Sequence, residues 1–279
     1  MSAEQIDRGN QFRGLHAAPG AFVIANCWDG GSARILTALG FKALATSSGA
    51  SAGTLGRLDG QVTRAEALAQ ARIITDATHL PVSADLEKGF GDAPSVVAET
   101  IRLAATTGLV GASIEDATGD EAKPFFDLAH AAERVAAAAE AVRGLDFPFT
   151  LTARAENFIR GNKDLDDTIR RLQAYERAGA DVLFAPGLPD LAAVHTVCSA
   201  LSKPVNFMVG IPGKSFSVRE LTEAGVKRIS LATSLYRAAM SGLVAAAREV
   251  AEQGTFGFVE GAGVSQRELT AFLRGPGPR

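Results

Sequence analysis

Two acids stand two residues apart in the segment Pro81-Val-Ser-Ala-Asp-Leu-Glu-Lys-Gly-Phe-Gly-Asp92. If an apolar strand runs out here, its two-residue period puts Asp85 and Glu87 on the same side. Two carboxylates at a buried mouth repel each other unless a proton or a cation intervenes. A hard divalent ion such as Mg²⁺ takes a few protein oxygens and completes its shell with water and substrate oxygens. Gly89 and Gly91 would let the following loop pass close to a ligand. The plainer alternative makes Asp85 a capping residue and Glu87 a loop carboxylate.

Other chemically able residues recur at comparable places. Glu115 and Asp116 follow Gly-Ala-Ser-Ile; adjacent strand residues point opposite ways, so Glu115 is expected in the site and Asp116 in a loop or cap. Arg154 and Glu156 close Thr-Leu-Thr-Ala-Arg-Ala-Glu. A guanidinium there suits a substrate carboxylate, because its fork donates two parallel hydrogen bonds, or it neutralises neighbouring acids. Ser47, Ser48 and Gly49 offer hydroxyls and backbone N–H groups to an anionic oxygen, and Asp59 lies in a loop able to fold back over that place. Asn206 is an amide facing core or pocket, and Trp28, Phe125 and Phe126 are candidate pocket aromatics. Cys27 and Cys198 lack metal or redox spacing and read as small buried hydrophobes. His130 falls at an expected helix start, which favours a surface role.

Strands and helices must bring these groups together. A unit of helix, glycine and short apolar run recurs as ILTALGFKALATS, IRLAATTGLVGASIED, LQAYERAGADVLFAP and LTEAGVKRISLATS. Each glycine can take the left-handed turn that ends a helix, and each apolar run reads as a strand buried on both sides. Runs at 22–25, 81–84, 147–153 and 204–208 bring the number of expected strands to about eight, which closes a (β/α)8 TIM-type barrel. Thr63 with Glu66, and Ser217 with Glu220, match the capping box, and Asp92 with Pro94 reads as another helix start. Leu165, Ile169 and Leu172 recur at helical spacing and should face the barrel. An open doubly wound sheet shares this alternation, but NCWDGGS after the first strand is not a Gly-x-Gly-x-x-Gly turn.

Composition agrees with one barrel over residues 1–279, carrying a helical extension from about residue 233 and a frayed Gly-Pro-Gly-Pro-Arg tail. The hydrophobic fraction of 47% supplies a core, and a net charge of −3 without a basic stripe argues against nucleic acid as a partner. No apolar run reaches the roughly 20 residues that span a bilayer, and MSAEQIDRGNQF has no signal-peptide core. A reduced, cytoplasmic protein is expected.

As an ordered set, SSGASAGTLGRLDG, SADLEKGFGD, SIEDATG, TARAENF and PVNFMVG resemble the isocitrate lyase/phosphoenolpyruvate mutase superfamily. The resemblance covers about residues 21–235. It implies a (β/α)8 barrel whose last helix is exchanged between subunits, a dimer of dimers, and Mg²⁺ or Mn²⁺ as cofactor. It implies pyruvate- or oxaloacetate-like substrates. By motif, Ser47, Ser48 and Gly49 would hold the substrate carboxylate. Asp85 would bind the metal directly, and Asp59, Glu87 and Glu115 would act mainly through metal-bound water. Arg154 would contact substrate, and Asn206 and Trp28 would line the pocket.

The chain also departs from that pattern. The superfamily's lyases carry a Lys-Lys/Arg-Cys-Gly-His lid, where this chain reads ATGDEAKPFFDLAHAA. The mutases have an Asn-containing segment there, whereas Lys123-Pro124 is followed by Phe125-Phe126. The metal motif is Asp-x-Glu where many relatives have Asp-x-Asp. The expected reaction is cleavage of a carbon–carbon bond in a small 2-oxo, oxaloacetate-like acid or a 2-hydroxy di- or tricarboxylate through a pyruvate enolate, under a lid at about 118–128. A carbon–phosphorus hydrolase or mutase, and a non-catalytic 2-oxo acid binding protein, are the alternatives.

Overall fold

Each glycine expected to end a helix does so: Gly40, Gly108, Gly179 and Gly225 have φ between +87° and +108°, a region that disfavours any side chain. The strands that follow or intervene are β1 (Phe22–Cys27), β2 (Leu44–Thr46), β3 (Val82–Asp85), β4 (Gly111–Glu115), β5 (Thr150–Arg154), β6 (Val182–Phe184), β7 (Val205–Met208) and β8 (Arg228–Ser230). In this computed structural model, which describes residues 3–261 and 263–274, they form a closed parallel barrel in chain order, with β8 pairing back onto β1. The terminal Gly-Pro-Gly-Pro-Arg lies outside the described residues.

Helices α1 (Ala3–Ala17), α2 (Gly30–Ala38), α3 (Ser48–Thr54), α4 (Arg64–Ala77), α5 (Pro94–Ala105), α6 (Leu128–Arg143), α7 (Leu165–Ala178), α8 (Leu191–Ser199) and α9 (Val218–Glu223) precede or connect the strands. After β8 come α10 (Ser234–Gln253) and α11 (Gln266–Arg274). The Thr63–Glu66 and Ser217–Glu220 capping boxes are both formed. Asp92 is not the cap of α5: the cap is Ala93 with Pro94 after it, and Asp92 instead ion-pairs with Lys88 at 2.7 Å. Leu172 is buried, and Leu165 and Ile169 pack on the same core. No helix among the described residues is long and apolar enough to cross a membrane.

The strands are not apolar on both sides. Their helix-facing residues are: Ala25, Cys27, Val82, Ala84, Ala112, Ile114, Leu151, Ala153, Val205, Phe207 and Ile229 all belong to the buried core. Alternate positions turn inward and carry Asn26, Ser83, Ser113, Thr152, Asn206, Arg228 and Ser230. Barrel interiors are ordinarily filled by layers of bulky branched side chains; small polar ones leave room at the centre. The amino-terminal end is closed by α1, whose Phe12 is fully buried and meets Phe22 edge-on at 6.4 Å. Gln5 ties that helix down by donating from Nε2 to the carbonyls of Ala105 and Leu109.

Candidate active site

The polar interior opens into a cavity of about 280 Å³ bordered by Asn26, Ser47, Ser48, Gly49, Asp59, Asp85, Arg154, Asn206 and Arg228. It is reached from the carboxyl ends of the strands, where barrel enzymes place their chemistry. Ile159, Phe184 and Ile211 add an apolar rim.

Asp85 ends β3 with its side chain 19% exposed. Its Oδ2 accepts from the Ser48 hydroxyl at 3.1 Å, and its Oδ1 accepts from the Glu87 N–H at 3.3 Å. Its own N–H donates to Thr46 Oγ1 at 2.9 Å, which fixes the strand end. Ser47 is the N-cap of α3, its hydroxyl accepting from the Ala50 N–H. That hydroxyl is therefore engaged in the helix start. The first N–H groups of a helix have no intrahelical acceptor, and Ser48 and Gly49, the first two residues of α3, both border the cavity. A Cβ on Gly49 would lie 3.3 Å from Asp59 Oδ2, so the loop carrying Asp59 folds back over this wall.

Glu87 follows with φ of +51°, a left-handed conformation rare outside glycine. Backbone strain of this kind concentrates at functional sites. Burial, then the charges of Asp85 and Asp59, push its carboxyl up to about 7. It lines a small recess beside Ser48 and Asp85 and not the central cavity. Glu115 turns toward Arg154, at 3.5 Å, and Arg160, at 3.8 Å. Burial raises its carboxyl, only partly offset by Arg154. Among the described residues no three His, Cys, Asp or Glu side chains converge as a ready-made metal cage.

Arg154 is the hub of the charged wall. It faces Asp85 at 3.8 Å and Glu115 at 3.5 Å, donates from Nε to fully buried Glu156, and lies over the Phe184 ring. Burial pulls its guanidinium down, but the charges of Glu156, Glu115 and Asp85 outweigh this and hold it firmly protonated. It borders the cavity and neutralises the neighbouring acids at the same time. Asn206 borders the cavity and donates from Nδ2 to Ser230 Oγ at 3.0 Å.

Several expected residues sit elsewhere. Trp28 packs edge-on against Tyr236 at 5.3 Å and is not part of the cavity wall. Phe126 is buried beneath the Arg134 guanidinium at 4.2 Å, and Phe125 lies against Arg171 at 5.4 Å. They anchor the 118–128 loop, whose Thr118 N–H donates to Pro124 O and whose Thr118 carbonyl accepts from Lys88 Nζ. Asp116 is a buried junction accepting from Tyr175, Arg171 and the Glu156 N–H. His130 accepts no proton-transfer geometry here; its ring Nε2 meets the Asp92 carbonyl at 3.0 Å. Cys27 is fully buried, and burial pushes its thiol up to about 12. Arg228 is a charged lining residue absent from the candidates above, as are the polar Asn26, Ser83, Ser113 and Ser230.

A profile of the phosphoenolpyruvate phosphomutase family matches residues 12–251. A crystal structure from Burkholderia cenocepacia J2315, described no further than as a lyase/mutase, superposes with a TM-score of 0.95 at 49% identity over 98% of both chains. An oxaloacetate decarboxylase of Bradyrhizobium diazoefficiens is 34% identical over 71% of this chain and 69% of its own. A 2-methylisocitrate lyase of Escherichia coli K12 is 30% identical over 82% of this chain and 80% of its own. With the barrel and the ordered strand-end motifs already in view, the chain belongs to the phosphoenolpyruvate phosphomutase family, within the isocitrate lyase/phosphoenolpyruvate mutase superfamily.

Proposed function

We propose that this chain is a divalent-metal-dependent carbon–carbon lyase or decarboxylase acting on a small 2-oxo or 2-hydroxy carboxylate of the oxaloacetate kind. One observation carries the reading: Asp85, tied to Ser48 and facing Arg154, borders a polar cavity at the carboxyl mouth of the barrel. Relatives named for oxaloacetate decarboxylation and 2-methylisocitrate cleavage support it.

The donor set fits a hard cation. Asp85, Glu87 and Asp59 offer only oxygens, and the repulsion from Asp85 and Asp59 that adds to burial in lifting Glu87 is what a divalent ion would relieve. Asp85 would be the direct protein contact, with Glu87, Asp59 and Glu115 acting through water. Bound there, Mg²⁺ or Mn²⁺ would supply Lewis-acid stabilisation of developing negative charge. The amides of Ser48 and Gly49 would orient the substrate carboxylate, and Arg154 would stabilise charge arising beside it. In a 2-oxo acid, breaking the C3–C4 bond releases CO2 and leaves the electron pair on C3 as pyruvate enolate, which then takes a proton; in a 2-hydroxy acid, loss of the hydroxyl proton with breaking of C2–C3 makes the 2-oxo product and leaves the pair on the departing carboxylate fragment, which takes the proton. Asn206, Ile159 and Ile211 shape the wall and limit water.

The test incubates purified protein and Mg²⁺ with oxaloacetate, 2-methylisocitrate and phosphonopyruvate and measures pyruvate. Pyruvate from either of the first two, abolished by EDTA and by Asp85→Ala, is the expected result. Pyruvate from phosphonopyruvate alone would move the reading to carbon–phosphorus chemistry. No turnover, with a melting temperature still raised by 2-oxoglutarate, would make the chain a binding protein.

A further inference from the structure

Arg154 and Arg228 both border the cavity, but their surroundings differ. Arg154 faces three carboxylates. Arg228 is 5% exposed and has no ion pair among the described residues. Its Nε donates to Asn206 Oδ1 at 2.8 Å and its Nη2 to Thr152 Oγ1 at 3.0 Å, both neutral acceptors. Its Nη1 donates to nothing among the described residues. Burial pushes the guanidinium down to about 9, which leaves it charged at neutral pH. Nearby His16 is kept neutral and Lys227 is a further cation, so no compensating charge comes from below. A buried cation without a counter-charge is strongly unfavourable, and at neutral pH this one keeps its proton.

The space above it suits a small anion. Ser83, Ser113, Asn206 and Ser230 surround it with hydroxyl and amide groups, where a packed barrel would carry branched hydrocarbon. Thr152 lies two residues before Arg154 on β5. At about 3.3 Å per residue the Arg228 guanidinium therefore sits ~6–7 Å below the Arg154 level, within reach of the far end of a small diacid.

We infer that Arg228 receives the second carboxylate of a dianionic substrate, and so selects 2-oxo dicarboxylates over monocarboxylates such as pyruvate. This rests on the cavity being a 2-oxo acid site.

Binding of malonate, 2-oxoglutarate and pyruvate, each with Mg²⁺, is measured by calorimetry and thermal shift on the wild type, Arg228→Lys and Arg228→Met. The wild type should prefer the dianions by about tenfold or more, the value of one charged hydrogen bond. Arg228→Lys should keep much of that preference, and Arg228→Met should lose it while binding pyruvate unchanged. Without ligand, Arg228→Met should melt at or above the wild type, because it removes the uncompensated charge. A much lower melting temperature would make Arg228 a structural tie to Asn206 and Thr152 and overturn the inference. So would an equal preference in all three proteins, or stabilisation by chloride matching that by malonate. Turnover separates this from the lyase reading: no turnover of any 2-oxo acid, with dianion binding intact, sinks the lyase reading alone. Rapid oxaloacetate decarboxylation with KM unchanged in Arg228→Met sinks the Arg228 assignment alone.

Discussion

The Tyr175 hydroxyl donates to Asp116 Oδ2 at 2.6 Å, joining α7 to the end of β4 across 59 residues of chain. Arg171 Nη1 reaches the same oxygen at 3.0 Å, and the Glu156 N–H donates to Oδ1 at 2.9 Å. Because Glu156 in turn holds Arg154, this junction sets the wall of the cavity from behind. Tyr175→Phe removes one bond to a buried charge and should lower stability by about 1.5–3 kcal/mol. Asp116→Ala takes one of two carboxylates from Arg171, which keeps Asp167 at 3.0 Å, and leaves the buried Tyr175 hydroxyl and Glu156 N–H without their acceptor, so it should lower stability by about 3–5 kcal/mol. Urea midpoints at constant slope measure both; an Asp116→Ala protein as stable as the wild type would refute the junction's role.

Acid sensitivity should come in part from His16. Its Nδ1 donates to the Phe12 carbonyl at 2.8 Å, its Nε2 is buried without a partner, and Phe12 and Phe22 close on the ring. Burial first, and the Arg228 charge second, hold its pKa down to about 3. Below the unfolded value of about 6.5 the unfolded chain takes a proton that the fold refuses. Stability should therefore be full above pH 6.5 and fall on acidification toward 3, with a slope approaching 1.4 kcal/mol per pH unit, ~one proton's worth. His16→Leu should flatten that limb of the stability–pH curve; identical curves would show that the ring is not refused its proton.

The barrel was legible because its punctuation is local. A left-handed glycine ends a helix whatever surrounds it, and all four helix–glycine–strand units read from the sequence are present at Gly40, Gly108, Gly179 and Gly225. Ser48, Gly49, Asp59, Asp85, Arg154 and Asn206 were also legible, since strand ends are where a barrel presents side chains, and all border one cavity. Trp28, Phe125 and Phe126 misled because an aromatic in a loop looks the same whether it lines a pocket or supports an arginine. Arg228 was hidden by its place near the amino-terminal start of β8. The signal existed in the period of two: Thr-Leu-Thr-Ala-Arg, Val-Asn-Phe-Met and Arg-Ile-Ser alternate polar with apolar, which marks a hydrophilic lumen.

Helix α10 leaves an apolar surface that an exchange of terminal helices between subunits would cover. None of its residues is buried, and Leu243, Val244 and Val250 are exposed, followed by Phe256, Phe258 and Val259. Exposed apolar side chains gathered on one helix and the segment after it mark a candidate association surface. Light scattering coupled to gel filtration should find an assembly larger than one 29.0 kDa chain. Leu243→Glu with Val244→Glu should shift the protein to a smaller species; a wild type that runs as a monomer at micromolar concentration would end the idea.

Trp28 is the single tryptophan of the chain and reports on the same region. Its ring meets Tyr236, at the start of α10, and Tyr236 in turn crosses Gly53 so closely that a Cβ there would lie 2.5 Å from the phenol oxygen. Nothing at Gly53 requires a left-handed backbone, and alanine favours the helix by up to about 1 kcal/mol, so a loss of stability in Gly53→Ala would come from this contact. All three residues are half-buried, and a Cβ contact below 3 Å makes the tyrosine ring shift. Gly53→Ala should therefore push Tyr236 away from Trp28, change the intrinsic emission, and loosen the start of α10. Tyr236→Leu in the same background should relieve the clash and restore stability toward that of Tyr236→Leu alone. If Gly53→Ala leaves both the emission spectrum and the melting temperature unchanged, the Gly53–Tyr236–Trp28 stack does not hold α10 to the barrel.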